Sequence, residues 1–343
     1  MFKVALERVE TAISEIKKGR MVIMMDDENR ENEGDLVYAA TFSTPEHVNF
    51  MAKEARGLIC TPVTKAIAKK LHLLPMVDNN ISNHETAFTI SIDSANADTG
   101  ISAIERDDCI SKLANPLTSS EDFVRPGHIF PLIAKDGGVL VRTGHTEGSV
   151  DICKLAGLAP VGVICEIIKD DGTMARHDDL EIFSKKHNIP IVYISDLVEY
   201  RLANEKLVAR IKEREMDFMG IRVEKINYED HLGRVHKVIK FGDIKQTSNV
   251  KFHNIGLDVD LVLNSNRFET MQNSLEYLKI NGGVLVFLDT KTISKEQAKE
   301  FGIGAQILKD LGIEHINLLT STVDTEFIGL SGFGLNVVNK VIL

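Results

Sequence analysis

The chain has 343 residues, of which 43% are hydrophobic and 26% are charged. At roughly 150 residues per domain, this length predicts about two globular domains, each with its own core. This composition excludes a disordered or collagen-like chain. The formal charge of −10 argues against a nucleic-acid backbone or an anionic membrane as the main partner.

The sequence also lacks the features of a membrane or secreted protein. Its longest apolar run, residues 155–165, is too short for a membrane span and is interrupted by Pro160. The first helix carries several charges, so it does not resemble the apolar core of a signal peptide. We therefore expect a cytoplasmic protein. Its cysteines are too scattered for a disulfide framework, and we expect free, buried thiols at Cys60, Cys109, Cys153 and Cys165.

Apolar spacing predicts an opening helix over residues 2–16 and then a buried strand over 21–25 that leads into a polar loop. Two threonine-proline pairs, Thr44-Pro45 and Thr61-Pro62, each predict a helix start. The remaining elements expected in this half are strands over 87–93, 139–142, 161–168 and 189–194 and helices over 102–114 and 177–187.

Residues 196–216 alternate in charge and contain few apolar side chains, a pattern typical of an exposed helix that links two domains. The second half then predicts strands over 221–226, 235–241, 259–263, 284–288 and 316–319 and helices over 269–278 and 305–311. We expect an α/β (α+β) protein with domains at residues 1–205 and 206–343.

The segment DDENRENEGD, residues 26–35, places six acidic residues among ten directly after a buried strand. Such crowding is repulsive unless a cation lies among the carboxylates. A hard divalent cation such as Mg²⁺ or Mn²⁺ prefers these oxygen ligands. The alternative is a solvated acidic loop that binds nothing. Gly34 and Arg30 favour a ligand site, because glycine permits an unusual backbone and arginine can contact an anionic substrate.

A second polar cluster combines RPGH, residues 125–128, with RTGHTEGS, residues 142–149, where we expect a strand to end and a helix to begin. Backbone amides, a hydroxyl and Arg142 at a helix N-terminus predict a site for a phosphate or an oxyanion. The alternative is an ordinary helix cap at Thr143 or Thr146. His145 is either a metal ligand or a surface residue at the helix start.

Glu166 lies alone within an apolar strand, where an unpaired carboxylate is costly. It either pairs structurally or serves as an acid or base, and His128 is the other candidate for proton transfer. With the acidic loop, these residues suit metal-assisted enolisation of a phosphorylated sugar. The residue types alone predict a metal-dependent phosphosugar lyase or isomerase.

Residues 1 to about 200 closely resemble the 3,4-dihydroxy-2-butanone 4-phosphate synthases of riboflavin biosynthesis. The resemblance implies conversion of D-ribulose 5-phosphate into formate and the four-carbon butanone phosphate. It also implies two Mg²⁺ or Mn²⁺ ions per active site and a site at a homodimer interface. The charge and hydropathy already predict no nucleic-acid or membrane partner. The matching motifs are DDENRENEGD (26–35), RGLIC (56–60), TGISA (99–103), RPGHIFPL (125–132) and RTGHTE (142–147).

The same resemblance implies residue roles by motif position. Glu31 and His145 match the metal ligands, and His128 and Glu166 match the essential catalytic pair. Arg142 and Thr146 are expected on the phosphate side of the substrate. The full set of implied substrate contacts is Arg30, Glu31, Asp35, Arg142, Thr143, Gly144, His145, Thr146 and Glu166.

Residues 301–322, FGIGAQILKDLGIEHINLLTST, resemble GTP cyclohydrolase II more faintly. That family binds a catalytic zinc through cysteines, and no cysteine follows Cys165 in this chain. Only residues 290–300 fill the gap where the family's catalytic segment should lie. The histidines of this half do not show ligand-like spacing: His231, His236, His253 and His315.

We therefore expect a degenerate second domain that binds no zinc and has no cyclohydrolase activity. Its expected role is structural, dimerising or regulatory. The alternatives are a bifunctional enzyme that also opens GTP and a second domain that binds a nucleotide or flavin. A wholly non-catalytic regulator is disfavoured, because the first domain retains every motif residue.

Overall fold

The computed structural model describes residues 2–26, 31–81, 86–289, 297–321 and 335–343. The chain divides into two compact units, Met1–Tyr200 and Arg201–Leu343. The domain limits expected from the sequence, 1–205 and 206–343, remain a prediction. In the part of the chain that the structure describes, no helix is long and apolar enough to cross a membrane.

The first unit is a mixed sheet with helices packed around it. The strands run in the spatial order β4-β5-β3-β6-β2-β1-β7. They are β1 (Val22–Met25), β2 (Gly34–Ala39), β3 (Cys60–Thr64), β4 (Ile92–Ser94), β5 (Phe123–Ala134), β6 (Gly162–Glu166) and β7 (Ile191–Tyr193). The helices are α1 (Phe2–Lys17), α2 (Pro45–Phe50), α3 (Lys65–Lys70), α4 (Ala103–Ala114), α5 (His145–Leu155), α6 (His177–His187) and α7 (Ile194–Asn204), which extends past the division.

Local sequence signals account for several of these helices. In α2 the Thr44 side chain accepts the His47 amide and Pro45 is the first helical residue, as predicted. Helix α4 begins at a complete capping box, in which Ser102 and Glu105 satisfy each other's backbone amides. The predicted α1, α4 and α6 are confirmed.

The core of the first unit lies between the sheet and helices α2 and α4. Tyr38, Ile23 and Leu36 from the strands pack there with Met51 and Ile110 from the helical layer, and all five are fully buried. The cysteines are free and buried, as expected. Burial of such apolar side chains supplies the main favourable free energy of folding.

Two elements of the first unit differ from the sequence-based expectation. Thr61-Pro62 does not start a helix: it lies in β3, which pairs in parallel with β5, and α3 begins later, with Thr64 as its cap. Tertiary strand pairing therefore overrides the local helix signal. The strand expected over 139–142 is instead a short 3-10 helix, Gly138–Leu140. It is held by Asp151, whose Oδ2 accepts the Val139 amide at 2.8 Å.

The expected strand over residues 87–93 is present only in part. Phe88 and Thr89 form isolated bridges, and the regular strand is β4, Ile92–Ser94. The strands expected at 161–168 and 189–194 are confirmed in shorter form as β6 and β7.

The second unit contains another mixed sheet, with strands in the order β14-β13-β11-β12-β10-β9-β8. Its strands are β8 (Val208–Phe218), β9 (Ile221–Asp230), β10 (Val235–Phe241), β11 (Thr247–Ile255), β12 (Gly283–Asp289), β13 (His315–Thr320) and β14 (Asn336–Ile342). Its helices are α8 (Asp258–Leu263), α9 (Ser265–Asn281) and α10 (Gln297–Asp310). Strands β11 to β14 are mutually parallel, and β8, β9, β10 and β12 form antiparallel pairs.

Two predictions for the second unit are wrong. The helix expected over 196–216 ends at Asn204, and the charged residues that follow form β8, an edge strand paired with β9. Alternating charges suit the exposed face of an edge strand as well as a helix surface. The strand expected over 259–263 is helix α8, while the polar segment Thr247–Ile255 is the central strand β11.

Candidate functional site

The predicted site residues meet at one end of the first sheet. Strand pairing places Met24 opposite Asp35 and places Asp35 opposite Glu166. The N-terminus of α5 lies beside them, because its first residue, His145, contacts the Met24 carbonyl oxygen. A cavity of about 170 Å³ opens here. It is lined by Glu31, Glu33, Asp35, Cys60, Thr86, Phe88, Leu132, Arg142, His145, Thr146, Ile164 and Glu166.

The acidic loop is anchored at both of its described ends. Asp26 is buried, and its carboxylate accepts the backbone amides of Glu31 at 3.1 Å and Glu33 at 2.8 Å. Arg176, at the start of α6, donates to the carbonyl oxygens of Glu31 and Asn32 at 2.6 Å. These contacts hold Glu31 at the mouth of the cavity.

Asp26, Glu31 and His145 form a group that could hold a metal ion, with one potential ligand atom from each residue lying within 4.8 Å of the others. His145 Nε2 is 3.2 Å from the Met24 carbonyl oxygen. Because a carbonyl oxygen only accepts hydrogen bonds, this contact requires the proton on Nε2. Nδ1 then presents its lone pair 3.8 Å from Glu31 Oε2, as a metal-ligating imidazole should.

Asp35 is a buried carboxyl group of the cavity. It is 3% exposed, and its Oδ1 atom has no hydrogen-bond partner. Burial, together with the nearby carboxylates of Glu166, Glu31 and Glu33, raises the pKa of Asp35 to about 7 against the opposing effect of His145. A buried, unsatisfied oxygen among carboxylates is the environment that a divalent cation or a substrate hydroxyl would complete.

We expect Asp35→Asn to stabilise the metal-free protein at neutral pH. The folded pKa of Asp35, about 7, lies above the ordinary aspartate value of 3.8, so ionisation progressively destabilises the fold as the pH rises from about 4 to 7. The amide avoids this cost, which corresponds to about 4 kcal/mol. Unfolding in EDTA should show a stability gap between variant and wild type that widens from pH 4 to pH 8. The gap should not widen for Asp136→Asn at an exposed position, and a constant gap for Asp35→Asn would contradict the prediction.

Glu166 is half-buried and its carboxylate is not isolated. Its Oε2 accepts the Leu58 backbone amide at 2.8 Å. A Cβ atom on Gly57 would clash with the Glu166 backbone and carboxylate, which explains the glycine of the RGLIC motif. Among the residues that the structure describes, Glu166 is therefore held by a backbone contact rather than by an ion pair.

Arg142 brings a positive charge to the cavity beside the start of α5. Its Nη1 donates to Glu147 Oε2 at 2.6 Å, and its Nη2 lies 3.3 Å from Thr86 Oγ1. The Glu147 side chain is only 1% exposed and also accepts the Lys135 amide. This arrangement fixes the guanidinium next to a helix N-terminus, where the helix dipole also favours an anion.

The N-terminus of α5 rules out the alternative in which a threonine hydroxyl caps the helix. Gly144 occupies the N-cap position, so neither Thr143 nor Thr146 caps the helix. Thr146 lines the cavity, whereas Thr143 and Gly144 do not. Arg30 lies outside the described residues.

His128 is not among the residues that line the cavity. It lies on β5, and its side chain is 43% exposed and bonded to Asp93. His128, the predicted catalytic partner of Glu166, therefore lies apart from the other predicted residues within one chain. The residues that meet at the cavity are Glu31, Asp35, Arg142, His145 and Glu166.

Several cavity residues were not predicted from the sequence. Cys60, Leu132 and Ile164 belong to strands, and Thr86 and Phe88 precede β4. None of them has a distinctive residue type or spacing. The RGLIC and RPGHIFPL motifs contain Cys60 and Leu132 and were the one available signal.

In the second unit, the histidines are separated, as expected. His236 is buried, with Nε2 3.1 Å from Asp230 Oδ2 and Nδ1 accepting the Asp289 amide. Burial, together with the nearby charges of Arg267 and Lys251, lowers the pKa of His253 to about 4. Among the residues described in this unit, no three histidine, cysteine or carboxylate side chains converge on a common point.

Comparisons with known proteins match this chain to two families. The family described as 3,4-dihydroxy-2-butanone 4-phosphate synthase matches residues 10–200, and the family described as GTP cyclohydrolase II matches residues 289–342. A Wolinella succinogenes protein named 3,4-dihydroxy-2-butanone 4-phosphate synthase is 58% identical, with 98% of this chain and 97% of that protein covered.

Solved structures show the same likeness. A two-domain 3,4-dihydroxy-2-butanone 4-phosphate synthase from A. baumannii, named RibBX, has a TM-score of 0.81 and 37% identity, and the match covers 97% of this chain and 98% of that one. A synthase in complex with two magnesium ions has a TM-score of 0.56 and 38% identity over 57% of this chain and 97% of its own.

Proposed function

The chain belongs to the 3,4-dihydroxy-2-butanone 4-phosphate synthase family of lyases, and we propose that its first unit converts D-ribulose 5-phosphate into L-3,4-dihydroxy-2-butanone 4-phosphate and formate. The observation that carries this proposal is the convergence of Glu31, Asp35, Arg142, His145 and Glu166 on one cavity. Enolisation, loss of water, rearrangement of the carbon skeleton and hydrolytic release of one carbon divide the five-carbon substrate into these products.

Glu31 and His145 would hold the metal, Mg²⁺ or Mn²⁺, and two ions are present in the related structure. Asp26 is close enough to assist, although its carboxylate already accepts two loop amides. The unsatisfied Asp35 oxygen and the closeness of the Asp26, Glu31 and His145 ligand atoms, within 4.8 Å of one another, support this assignment. When bound, the metal polarises the substrate's carbonyl and hydroxyl groups and makes the adjacent C–H more acidic.

The protein's own groups would then orient the sugar and move protons. Glu166, held by the Leu58 amide, is a candidate base or acid on one side of the cavity. The buried Asp35 can accept a substrate hydroxyl through its free Oδ1. Phosphate binding is assigned to Thr146 and Arg142, which line the cavity near the N-terminus of α5.

Arg142→Gln is expected to raise KM at least tenfold with a smaller change in kcat. The glutamine amide retains a hydrogen bond to the buried Glu147. It loses the positive charge and the bidentate hydrogen-bond donor with which a guanidinium recognises phosphate. Steady-state kinetics with ribulose 5-phosphate will measure both constants. Arg201→Gln removes a comparable arginine, paired with Glu205, outside the cavity. If Arg142→Gln leaves KM unchanged, Arg142 does not bind the substrate phosphate.

We further propose that the active site is completed by a second copy of the chain. His128 lies off the cavity and is partly exposed. Exposed apolar side chains lie near it: Val124 is on the same strand, and Ile101 follows Gly100, where a Cβ atom would lie 2.8 Å from His128 Nδ1. Such a patch around a polar residue is characteristic of an interface between subunits. This arrangement would bring His128 of one copy to the cavity of the other.

The synthase proposal is tested by incubating the purified full chain with Mg²⁺ and ribulose 5-phosphate. Formate and butanone phosphate should appear only when both metal and substrate are present. Absence of formate with a folded, metal-loaded protein would refute the proposed reaction.

A cytoplasmic location is likewise a prediction, and cell fractionation would test it.

For the second unit we propose a non-catalytic role without zinc. Its support is the lack of any cysteine after Cys165 and the engagement of His236 with Asp230. A parallel assay with GTP and Zn²⁺ should give no pyrimidine product, whereas formate from GTP would show that the chain is bifunctional.

A binding module is the second candidate for this unit. A cavity of about 270 Å³ at the ends of β11 and β13 is lined by Lys251, His253 and Arg267, without a carboxylate among its described lining residues. Titrating the full chain with GTP, FMN and riboflavin by calorimetry tests this alternative, and no heat of binding would leave the structural role.

A further inference from the structure

A buried carboxylate, Asp93, lies directly behind the exposed His128 ring. Asp93 Oδ1 accepts the His128 backbone amide at 2.8 Å, and Asp93 Oδ2 lies 2.8 Å from His128 Nδ1. Asp93 is 7% exposed, whereas the His128 side chain is 43% exposed. One carboxylate therefore holds both the backbone and the ring of the same histidine, and it does so from inside the protein.

The fold makes room for this pair. The register between β4 and β5 jumps at Asp93: Ile92 pairs with Ile129 and Asp93 with Val124, so residues 125–128 protrude from the ladder. Gly100 has a φ of +78°, and a Cβ atom there would clash with the Asp93 carboxylate and lie 2.8 Å from His128 Nδ1. The glycine of the TGISA motif is thus explained by the space that the Asp93–His128 pair occupies.

The hydrogen-bond chemistry fixes which ring nitrogen carries the proton. An ionised carboxylate has only acceptors, so a bond from Nδ1 to Asp93 requires Nδ1 to be the donor. In the neutral ring Nε2 then keeps its lone pair on the exposed side. The same logic orients the catalytic histidine of serine proteases through a buried aspartate.

We propose that Asp93 is a positioning residue that holds His128 in its Nδ1–H form and presents Nε2 to the substrate as the proton acceptor. This inference rests on the proposed function, in which His128 takes part in proton transfer. It assigns Asp93 no contact with substrate or metal.

Asp93→Asn provides a sharp test because the two partners of Asp93 differ. The His128 backbone amide can only donate, so it will take the asparagine oxygen, and the asparagine NH₂ group will face Nδ1. The ring must then carry its proton on Nε2. We expect kcat to fall on the order of 10³-fold, with little change in KM or in Mn²⁺ affinity.

The protonated nitrogen is observed directly by ¹⁵N NMR of the full chain labelled at histidine, with the His128 signals assigned by their loss in His128→Ala. The wild type should show Nδ1–H and Asp93→Asn should show Nε2–H. The double variant should be no less active than His128→Ala alone, because Asp93 acts through His128. If the wild-type spectrum shows that His128 carries its proton on Nε2, the inference is overturned. This result does not depend on the folding of any variant.

The outcomes separate this inference from the proposed function. If His128→Ala retains full activity, the role of His128 in the proposed function is wrong. If His128→Ala is inactive while folded Asp93→Asn keeps the wild-type kcat, the positioning role alone is refuted.

Discussion

Replacing Glu31 by glutamine should reduce formate production from ribulose 5-phosphate to below about a thousandth of the wild-type rate, because a metal contributes several kcal/mol to such chemistry. Glu31 is one of two proposed protein ligands, and its carboxylate faces the Nδ1 atom of His145 at 3.8 Å. Glutamine keeps the size of the side chain but removes the charge that holds a hard cation.

The fold of this variant should remain intact. Glu31 is held in the loop through its backbone, by Asp26 and Arg176, and neither contact uses its carboxylate. Removing one charge also relieves repulsion with Asp35. Mn²⁺ binding by electron paramagnetic resonance, thermal unfolding and turnover should be measured on the same preparation. Glu10→Gln, at an exposed position on α1, is the matched control. Wild-type turnover by Glu31→Gln would remove Glu31 from the metal site.

The parts of the fold that could be predicted from sequence are those determined by local interactions. Ser102 and Glu105 cap α4 within one helical turn, and Thr44 with Pro45 starts α2 in the same way. Apolar periodicity likewise predicts α1, since one helix face packs on the sheet. These signals depend on residues within a few positions of each other, so the sequence displays them directly.

The wrong predictions concern segments whose structure is decided by distant partners. Thr61-Pro62 reads locally as a helix start but is fixed by β5, about seventy residues away in the chain. Strand β11 is largely polar and is stabilised by β12 and β13 on either side. Local propensity carries no information on such pairings.

The candidate site shows the same division. Asp26 and Asp35 flank one hairpin, so their proximity follows from the loop alone. Glu166 lies opposite Asp35 only through the pairing of β2 with β6. Its position as a lone carboxylate in an apolar strand indicated its chemistry, but nothing in the sequence indicated this neighbour. Asp93 has no distinguishing sequence pattern, since its importance arises from the register jump opposite residues 125–128.

Mixing two inactive variants should restore activity if His128 acts in the cavity of a second copy. Glu31→Gln removes a residue of the cavity, and His128→Ala removes a residue that lies off it. In a dimer containing one chain of each kind, one site carries both defects and the other carries neither. Random mixing should return about a quarter of the wild-type activity, because half of the dimers are mixed and each has one intact site.

The matched control pairs Glu31→Gln with Glu166→Gln. Both residues line the cavity of the same chain: Glu31 lies in the loop before β2, and Glu166 lies on β6, which pairs with β2. Every site in that mixture lacks one of the two side chains, so no activity should return. Recovery with His128→Ala but not with Glu166→Gln requires that His128 and Glu31 come from different chains. Failure of both mixtures, with mixed dimers demonstrated by native mass spectrometry, would mean that each chain completes its own site and that His128 must reach the cavity by a movement of β5.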